Sequence, residues 1–299
     1  MWMADRFHAD ERYRIQALGK TGVRADDHPL IVQFAANDPR DFAEAALAAQ
    51  QLGADGVDLN LGCPQTRAKE GHYGAYLTDP HDHALCAEII AAAADHPEIT
   101  IPITVKIRLQ PTTEQTVAFA NLLADAGASL VAVHGRRRGT EEKRRDGSAD
   151  LEAVAAVAAS LKQRRIPIHC LTNGNVKTPA DVAANVAATG CAGIMVAGAR
   201  KSQPGFGAAF HGAHALEVTG TGTSARVPCL RDGGFLGVGG EGWGRECIFT
   251  DMSALNTDGP NCRSVVERPH IIFCVGSGHT GRQDCSRSCC GVFTIVPQL

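Results

Sequence analysis

Residues 103–136 read ITVKIRLQPTTEQTVAFANLLADAGASLVAVHGR, and this stretch decides the fold. Ile103–Ile107 is a short run of mostly apolar and β-branched residues without strict alternation, the pattern of a strand covered on both faces. Thr113–Ala126 has helical composition and is followed by Gly127, a helix-stop signal. Leu130–His134 is then a second apolar run. Strand, helix and strand in that order form a βαβ unit, which implies a right-handed crossover and parallel strands.

The same unit repeats on either side. The runs Leu30–Phe34, Val57–Leu61, Ile166–Leu171 and Gly193–Ala197 bring the predicted strands to six. Between them Asp38-Pro39 opens a helix that runs to about Leu52, and Pro80–Asp95, Ala149–Arg164 and Thr178–Ala188 are further helices. Doubly wound sheets and (β/α)₈ barrels both satisfy this alternation. The polar residues that follow the strands help to separate them: Gln33 and Asn37, Asn60 and Cys63, Lys106 and Arg108, His134 and Arg136, Asn173 and Asn175, and Gly198. A barrel gathers all its strand ends at one mouth, whereas an open sheet concentrates function at one switch point. Six contributing strands favour the barrel. The expectation is therefore an α/β fold, an incomplete (β/α)₈ TIM barrel with six of eight βα units over residues 29–200. Residues 1–28 are too few and too polar for two more units and are read as a segment replacing them.

Composition changes near residue 200. Residues 1–200 hold 40 of the 46 alanines, whereas residues 201–299 hold 17 of the 32 glycines and seven of the 11 cysteines. This tail is expected to be irregular and Gly/Cys-rich, with no continuing βα pattern. Hydrophobic residues make up 44% of the chain, enough for a sizeable core, and charged residues 20%. A net charge of −3 excludes a protein that coats nucleic acid by bulk charge, but leaves room for a local basic patch. No apolar run is long enough to span a bilayer, so no membrane is expected. The charged N-terminus lacks a secretory h-region, which leaves the cytoplasm as the default location, with the nucleus as the alternative.

Two segments carry chemistry. Val57-Asp58-Leu59-Asn60-Leu61-Gly62-Cys63-Pro64 places a cysteine just past a strand end, on a rigid turn facing the mouth. A lone cysteine is more often a small buried hydrophobe, and the context is what raises this one. Arg136-Arg137-Arg138-Gly139-Thr140-Glu141-Glu142-Lys143-Arg144-Arg145 has six basic and two acidic residues in a loop, which reads either as a solvated charge run or as an RNA contact. Cys86, Cys170 and Cys191 fall in helix or strand patterns and are read as core. Cys285-Ser286-Arg287-Ser288-Cys289-Cys290 lacks ligands at zinc spacing, so no metal is expected.

Taken together, Pro29–Phe34, Asp58–Pro64, Thr104–Arg108, Val133-His134-Gly135-Arg136 and Asn173-Gly174-Asn175 resemble the tRNA-dihydrouridine synthases, flavin enzymes built on a TIM barrel. The resemblance runs from about Pro29 to Gly198 and is weaker over residues 1–28. Gly71-His72-Tyr73-Gly74-Ala75 resembles the eukaryotic branch that acts at tRNA positions 16 and 17. It implies reduction of the uracil C5=C6 bond by FMN, with NADPH as reductant and tRNA as substrate. Cys63 matches the family's proton donor to C5. An ordinary thiol, with a pKa of about 8.5, keeps its proton near neutrality and can deliver it.

The resemblance further implies that Gln33 and Lys106 contact the flavin ring, that His134 lies near ring and substrate, and that Asn173, Gly174 and Asn175, with Ala197 and Gly198, form the phosphate loops. Asn60, Lys69, Arg108 and Arg136 are the expected substrate contacts, and Lys69, His72 and Tyr73 are placed to touch RNA phosphate or to stack. Ala197-Gly198-Ala199-Arg200 departs from the family's usual Gly-Arg or Ala-Glu-Gly. The family's first two strands and its helical tRNA-gripping domain are not recognised, so the chain reads as truncated at both ends. Two rival readings stand: another FMN-dependent TIM-barrel oxidoreductase similar to dihydroorotate dehydrogenase, and an inactive truncated fragment. Oligomeric state is left open.

Overall fold

The computed structural model describes residues 1–23, 29–139, 147–196, 270–275 and 292–297. Its elements in chain order are β1 (Trp2–Met3), α1 (Ala4–Ala9), α2 (Glu11–Leu18), β2 (Ile31–Ala35), α3 (Pro39–Gln51), β3 (Gly56–Leu61), α4 (Thr66–Glu70), α5 (His83–Ala94), β4 (Ile103–Leu109), α6 (Thr113–Asp125), β5 (Leu130–Arg137), α7 (Leu151–Lys162), β6 (His169–Asn173), α8 (Pro179–Thr189), β7 (Gly193–Val196), β8 (His270–Val275) and β9 (Val292–Pro297). Strands β1 to β7 pair in sequence order and all in parallel, with helices between them. This is the expected incomplete (β/α)₈ frame.

The count of six strands needs correction at both ends. β1 pairs with the C-terminal half of β2, Trp2 opposite Phe34 and Met3 opposite Ala35. Two residues are too short for any periodicity to show, so only tertiary pairing reveals this strand. Beyond β7, β8 runs parallel to it, and β9 runs antiparallel to both β8 and β2. β9 meets β2 at Ile31 and Val32. Because β3 holds the other edge of β2, β1 and β9 share the remaining edge at different heights, and the ring of strands closes there. The expected irregular tail thus contributes two strands. The rest of residues 197–299, including the Cys285–Cys290 cluster, lies outside the described residues.

Helix boundaries follow local chemistry. Asp38 accepts from Asp41 N at 3.0 Å with Pro39 in the first turn of α3. Thr112 with Gln115, and Thr178 with Asp181, form reciprocal capping boxes on α6 and α8. The expected helix Pro80–Asp95 begins instead with a separate 3₁₀ turn, Pro80–Asp82, ahead of α5. Alanines on the inner faces of α3, α5, α6 and α7 are buried, letting those helices sit close to the sheet. Phe7, Phe34, Phe42 and Phe119 fill the larger gaps and are all fully buried. Phe34 and Phe7 meet edge to face at 4.8 Å, fastening α1 to β2. Truncating Phe34→Ala is expected to cost about 3–5 kcal/mol. Urea denaturation checks this, and a loss below about 1 kcal/mol would mean that the N-terminal segment is not packed as described. Among the described residues no helix is long and apolar enough to cross a membrane.

Candidate active site

Parallel register places residues of equal height on one face, and three polar layers result on the Gln33/Asp58 side of the sheet. Gln33, Asp58 and Thr104 are aligned across β2, β3 and β4. One step towards the C-terminal ends, Asn60, Lys106 and Ala132 align, with Leu171 and Gly193 continuing across β6 and β7. At the rim Arg108, His134, Asn173 and Met195 align. The sequence-predicted residues Gln33, Asn60, Lys106, Arg108, His134 and Asn173 are therefore brought to one mouth. Ala132 beside Lys106, and Gly193 further round the same layer on β7, leave room above the lower layer.

The lower layers are wired into one chain of hydrogen bonds. Asp58 accepts from Gln33 Nε2 at 2.7 Å and from Thr104 Oγ1 at 2.7 Å. Gln33 Oε1 accepts from Asn60 Nδ2 at 2.8 Å. Asn60 Oδ1 then accepts from the backbone N–H of Gly62, at 3.0 Å, and of Cys63, at 2.9 Å. Gln33, Asp58, Asn60 and Thr104 are all buried. Burial pushes the Asp58 carboxyl up to about 6, against the opposing pull of its bonds to Gln33 and Thr104 and of the nearby Lys106 charge. Asp58 belongs to the cysteine motif, and the sequence alone assigns it no role. The available signal was a charged residue two positions from Asn60, hence on the same face of an otherwise apolar strand.

Cys63 is buried at 1% exposure, packed with Ala35, Ala68 and Tyr73, with Met1, Met3 and Tyr76 at the edge of this cluster. Its turn is held from several sides. Gly62 O accepts from Arg108 Nε at 2.7 Å, and Cys63 O accepts from Ala75 N at 3.0 Å. Arg108, expected to touch substrate, thus spends its Nε on the cysteine turn and Nη1 on Arg137 O, at 3.3 Å. Tyr73, read as a stacking or RNA-contact residue, is 3% exposed and lies in the Cys63 cluster. That reading is corrected, because an aromatic ring next to a short helix and an apolar thiol gains more by burial than by facing water. Lys69 is exposed on α4, as an RNA contact requires.

The basic loop is partly consumed by the protein. Arg136 Nη2 donates to Asn175 Oδ1 at 2.9 Å, and its Nη1 lies 3.2 Å from His134 Nε2. Arg137 Nε donates to Pro111 O. Arg138 binds Asp79 through both terminal nitrogens and stacks 4.9 Å above the Tyr76 ring, tying the end of β5 to the loop after Cys63. Residues 140–146 lie outside the described set. In the Asn173-Gly174-Asn175 turn, Asn173 Nδ2 donates to Met195 O, while Asn175 bonds with Ala149 through both amide atoms. Gly174 has a φ of +118° and Asn175 of +58°. Ala197 and Gly198 fall outside the described residues. Cys86, Cys170 and Cys191 are buried, as read from the sequence. A separate cavity of about 480 Å³ between α2 and α3 is lined by charges of both signs, among them Glu11, Arg14, Lys20 and Glu44, and lies away from these layers.

The donor set suits a flat heterocycle whose edge alternates donors and acceptors. Gln33 keeps one N–H and one lone pair after its two bonds, and Lys106 brings a positive charge alongside.

Comparison with known proteins agrees with this arrangement. The dihydrouridine synthase (Dus) family matches residues 1–219. The chain is 41% identical over 199 residues to the tRNA-dihydrouridine(16/17) synthase [NAD(P)(+)]-like protein of Mus musculus, covering 66% of this chain and 39% of that protein. It is 33% identical over 205 residues to the tRNA-dihydrouridine(16/17) synthase [NAD(P)(+)] of Saccharomyces cerevisiae, covering 69% and 46%. To the tRNA-dihydrouridine synthase B of Pseudomonas aeruginosa it is 32% identical over 181 residues, covering 60% and 51%. The matched part of the chain spans from 39% to 51% of the length of these relatives. With a family match over most of its length and the family's motifs gathered at one barrel mouth, the chain belongs to the dihydrouridine synthase family.

Proposed function

We propose that this chain carries the catalytic core of a tRNA-dihydrouridine synthase of the branch acting at positions 16 and 17, reducing uridine in tRNA to 5,6-dihydrouridine with FMN and NADPH. The observation that supports it most is the Cys63 turn, held by Asn60, Arg108 and Ala75 next to the two successive layers that contain Gln33 and Lys106. FMN, when bound, supplies hydride to C6 of the uracil. The residues of this chain do the rest. Gln33 offers its remaining donor and acceptor to the pyrimidine edge of the ring, and the Lys106 ammonium stabilises negative charge there. His134, at the rim level with Arg108 and Asn173, would contact the ring or the base, and Asn173-Gly174-Asn175 with Ala197 and Gly198 would hold the phosphate. The uridine leaves its stack to reach the mouth, where Asn60 uses its second Nδ2 hydrogen on the base. The Cys63 S–H bond breaks as its proton passes to C5, and the thiolate regains a proton from water. Lys69, Arg108 and Arg136 steady the RNA backbone at the rim.

The test is direct. Full-length purified protein is expected to be yellow, or to become so on titration with FMN, and to form dihydrouridine in unmodified tRNA when NADPH is added, as read by nucleoside mass spectrometry. Protein that binds no FMN would sink the enzyme reading of this chain and leave the inactive fragment. Bound FMN with oxidation of dihydroorotate and no product in tRNA would favour the small-molecule oxidoreductase instead.

A further inference from the structure

We propose that Asp58 is a positioning residue for Cys63, acting through a one-way relay of hydrogen bonds that runs from its carboxylate through Gln33 and Asn60 to the backbone of the cysteine turn. The proposal rests on the reading of Cys63 as proton donor, but the relay itself is a matter of geometry.

The relay has a single polarity. An ionised carboxylate only accepts, so Gln33 must present Nε2 to Asp58, at 2.7 Å. That leaves Gln33 Oε1 facing Asn60, which must present Nδ2, at 2.8 Å. Asn60 Oδ1 is thereby turned towards the backbone donors at the strand exit, Gly62 N and Cys63 N. Two amides whose ends are nearly alike in shape are held in one orientation each because the chain terminates in an acceptor below and donors above. Thr104 Oγ1 holds the second carboxylate oxygen at 2.7 Å and fixes the plane of the group. The charged form makes the Gln33 bond about twice as strong as a neutral pair would. A buried carboxylate inside a barrel is costly to keep, and among the described residues no salt bridge at contact distance repays it. The groups facing it are Gln33 from β2, its own-strand neighbour Asn60, and Thr104 and Lys106 from β4, with Lys106 the nearby cation.

Its titration supplies the readout. The folded carboxyl titrates near 6, raised from 3.8 by burial. Asp58→Asn, neutral at every pH, therefore imitates the protonated wild type. In the full-length protein, the rate of Cys63 alkylation by iodoacetamide is followed by mass spectrometry, divided in each protein by its own thiolate fraction read from ultraviolet absorbance, and expressed as the variant-to-wild-type ratio, which removes the thiol's own titration. The ratio is expected to be near one at about pH 5 and to rise to about fivefold at about pH 8, as the loosened turn admits reagent. Turnover on tRNA is expected to show an acid limb near 6 in the wild type and none in the variant, with flavin reduction by NADPH changed less than about twofold. The melting temperature of Asp58→Asn relative to wild type is expected to rise with pH between about 4 and about 6 and to level off above, since the raised pKa makes the charged carboxylate a cost that is fully present above about 6 and fades as pH falls towards the unfolded value. A role in packing alone would lower stability and leave the alkylation ratio flat.

Should Asp58→Asn fail to fold, Thr104→Val serves in its place. It removes a bond that lowers the Asp58 pKa, so the acid limb and the alkylation step move to higher pH. The double variant Asp58→Asn with Gln33→Glu restores an acceptor for Asn60 and a donor from position 58, and is expected to bring the alkylation ratio back to within about twofold of one. A ratio independent of pH in Asp58→Asn, or no rescue by the double variant, overturns the relay. If the wild type neither binds FMN nor forms dihydrouridine, the proposed function falls while the alkylation ratio still decides the relay.

Discussion

Cys63→Ala is expected to lower dihydrouridine formation by about 10²–10⁴-fold, the usual contribution of a positioned general acid. The thiol is 1% exposed and sits against Ala35, Ala68 and Tyr73, so an alanine methyl fills most of its volume without adding a polar group. Stability should fall by about 1 kcal/mol or less. FMN affinity should remain within about threefold, because the residues proposed for the ring and phosphate are untouched. Cys63→Ser is expected to be nearly as impaired, since a hydroxyl gives up its proton far less readily than a thiol. Mass spectrometry of nucleosides after single turnover measures the product, and flavin absorbance measures the cofactor. Undiminished product with Cys63→Ala would remove cysteine from the chemistry. Loss of flavin together with product would make it a structural residue instead.

Gly74→Val is expected to destabilise the protein by on the order of 3 kcal/mol and to cut turnover more than about tenfold. Two causes add. Gly74 has a φ of +65°, a conformation that costs a side-chain-bearing residue about 1–2 kcal/mol. A Cβ there would also lie 2.9 Å from Cys63 Cβ and 2.9 Å from Cys63 O, so the intruding atoms press on the backbone that carries the thiol. Backbone cannot swing aside as a flexible side chain does, and the Ala75-to-Cys63 hydrogen bond at 3.0 Å is the first casualty. Gly147 provides the control: its φ is +63°, yet among the described residues nothing lies within 4 Å of the Cβ position. Gly147→Ala should lose only the conformational part, about 1 kcal/mol. Chemical denaturation of both variants separates strain from collision. Equal losses at the two sites would show that the close approach to Cys63 is not as described.

The sequence made much of the site legible because strand ends in a parallel barrel advertise themselves. Lys106 and Arg108 in the Ile103–Leu109 strand, and His134 near the end of β5, are polar residues in apolar runs, and such residues have few places to point except the mouth. Other site residues are hidden in the sequence for physical reasons. Asp58 was visible as a charge within an apolar strand, but its partners Gln33 and Thr104 come from neighbouring strands, 25 and 46 residues away in sequence. Tyr73, in the loop after Cys63, reads from sequence as able to touch RNA or to stack, and only the packing of α4 and the Gly74–Tyr76 turn against Cys63 buries it. Arg138 was one basic residue among six in a loop until Asp79, 59 residues earlier, was seen to bind it. β8 was present in the sequence as the apolar run Ile271-Ile272-Phe273-Cys274-Val275, but the Gly-rich composition around it masked the signal.

What the sequence determined by itself is one-dimensional: alternation of buried strands with capped helices, the parallel sense that this order requires, and a cysteine on a turn at a strand end. These follow from local burial patterns and backbone preferences, which act over a few residues. The tertiary structure alone decided height and closure. It set Gln33 level with Asp58 and Thr104, turned Asn60 Oδ1 towards Cys63, and let β9 share an edge of β2 with β1. Each of these is a matter of register between strands far apart in the chain. Register depends on which ladder of hydrogen bonds and which packed faces satisfy all neighbours at once, and no single segment contains that information.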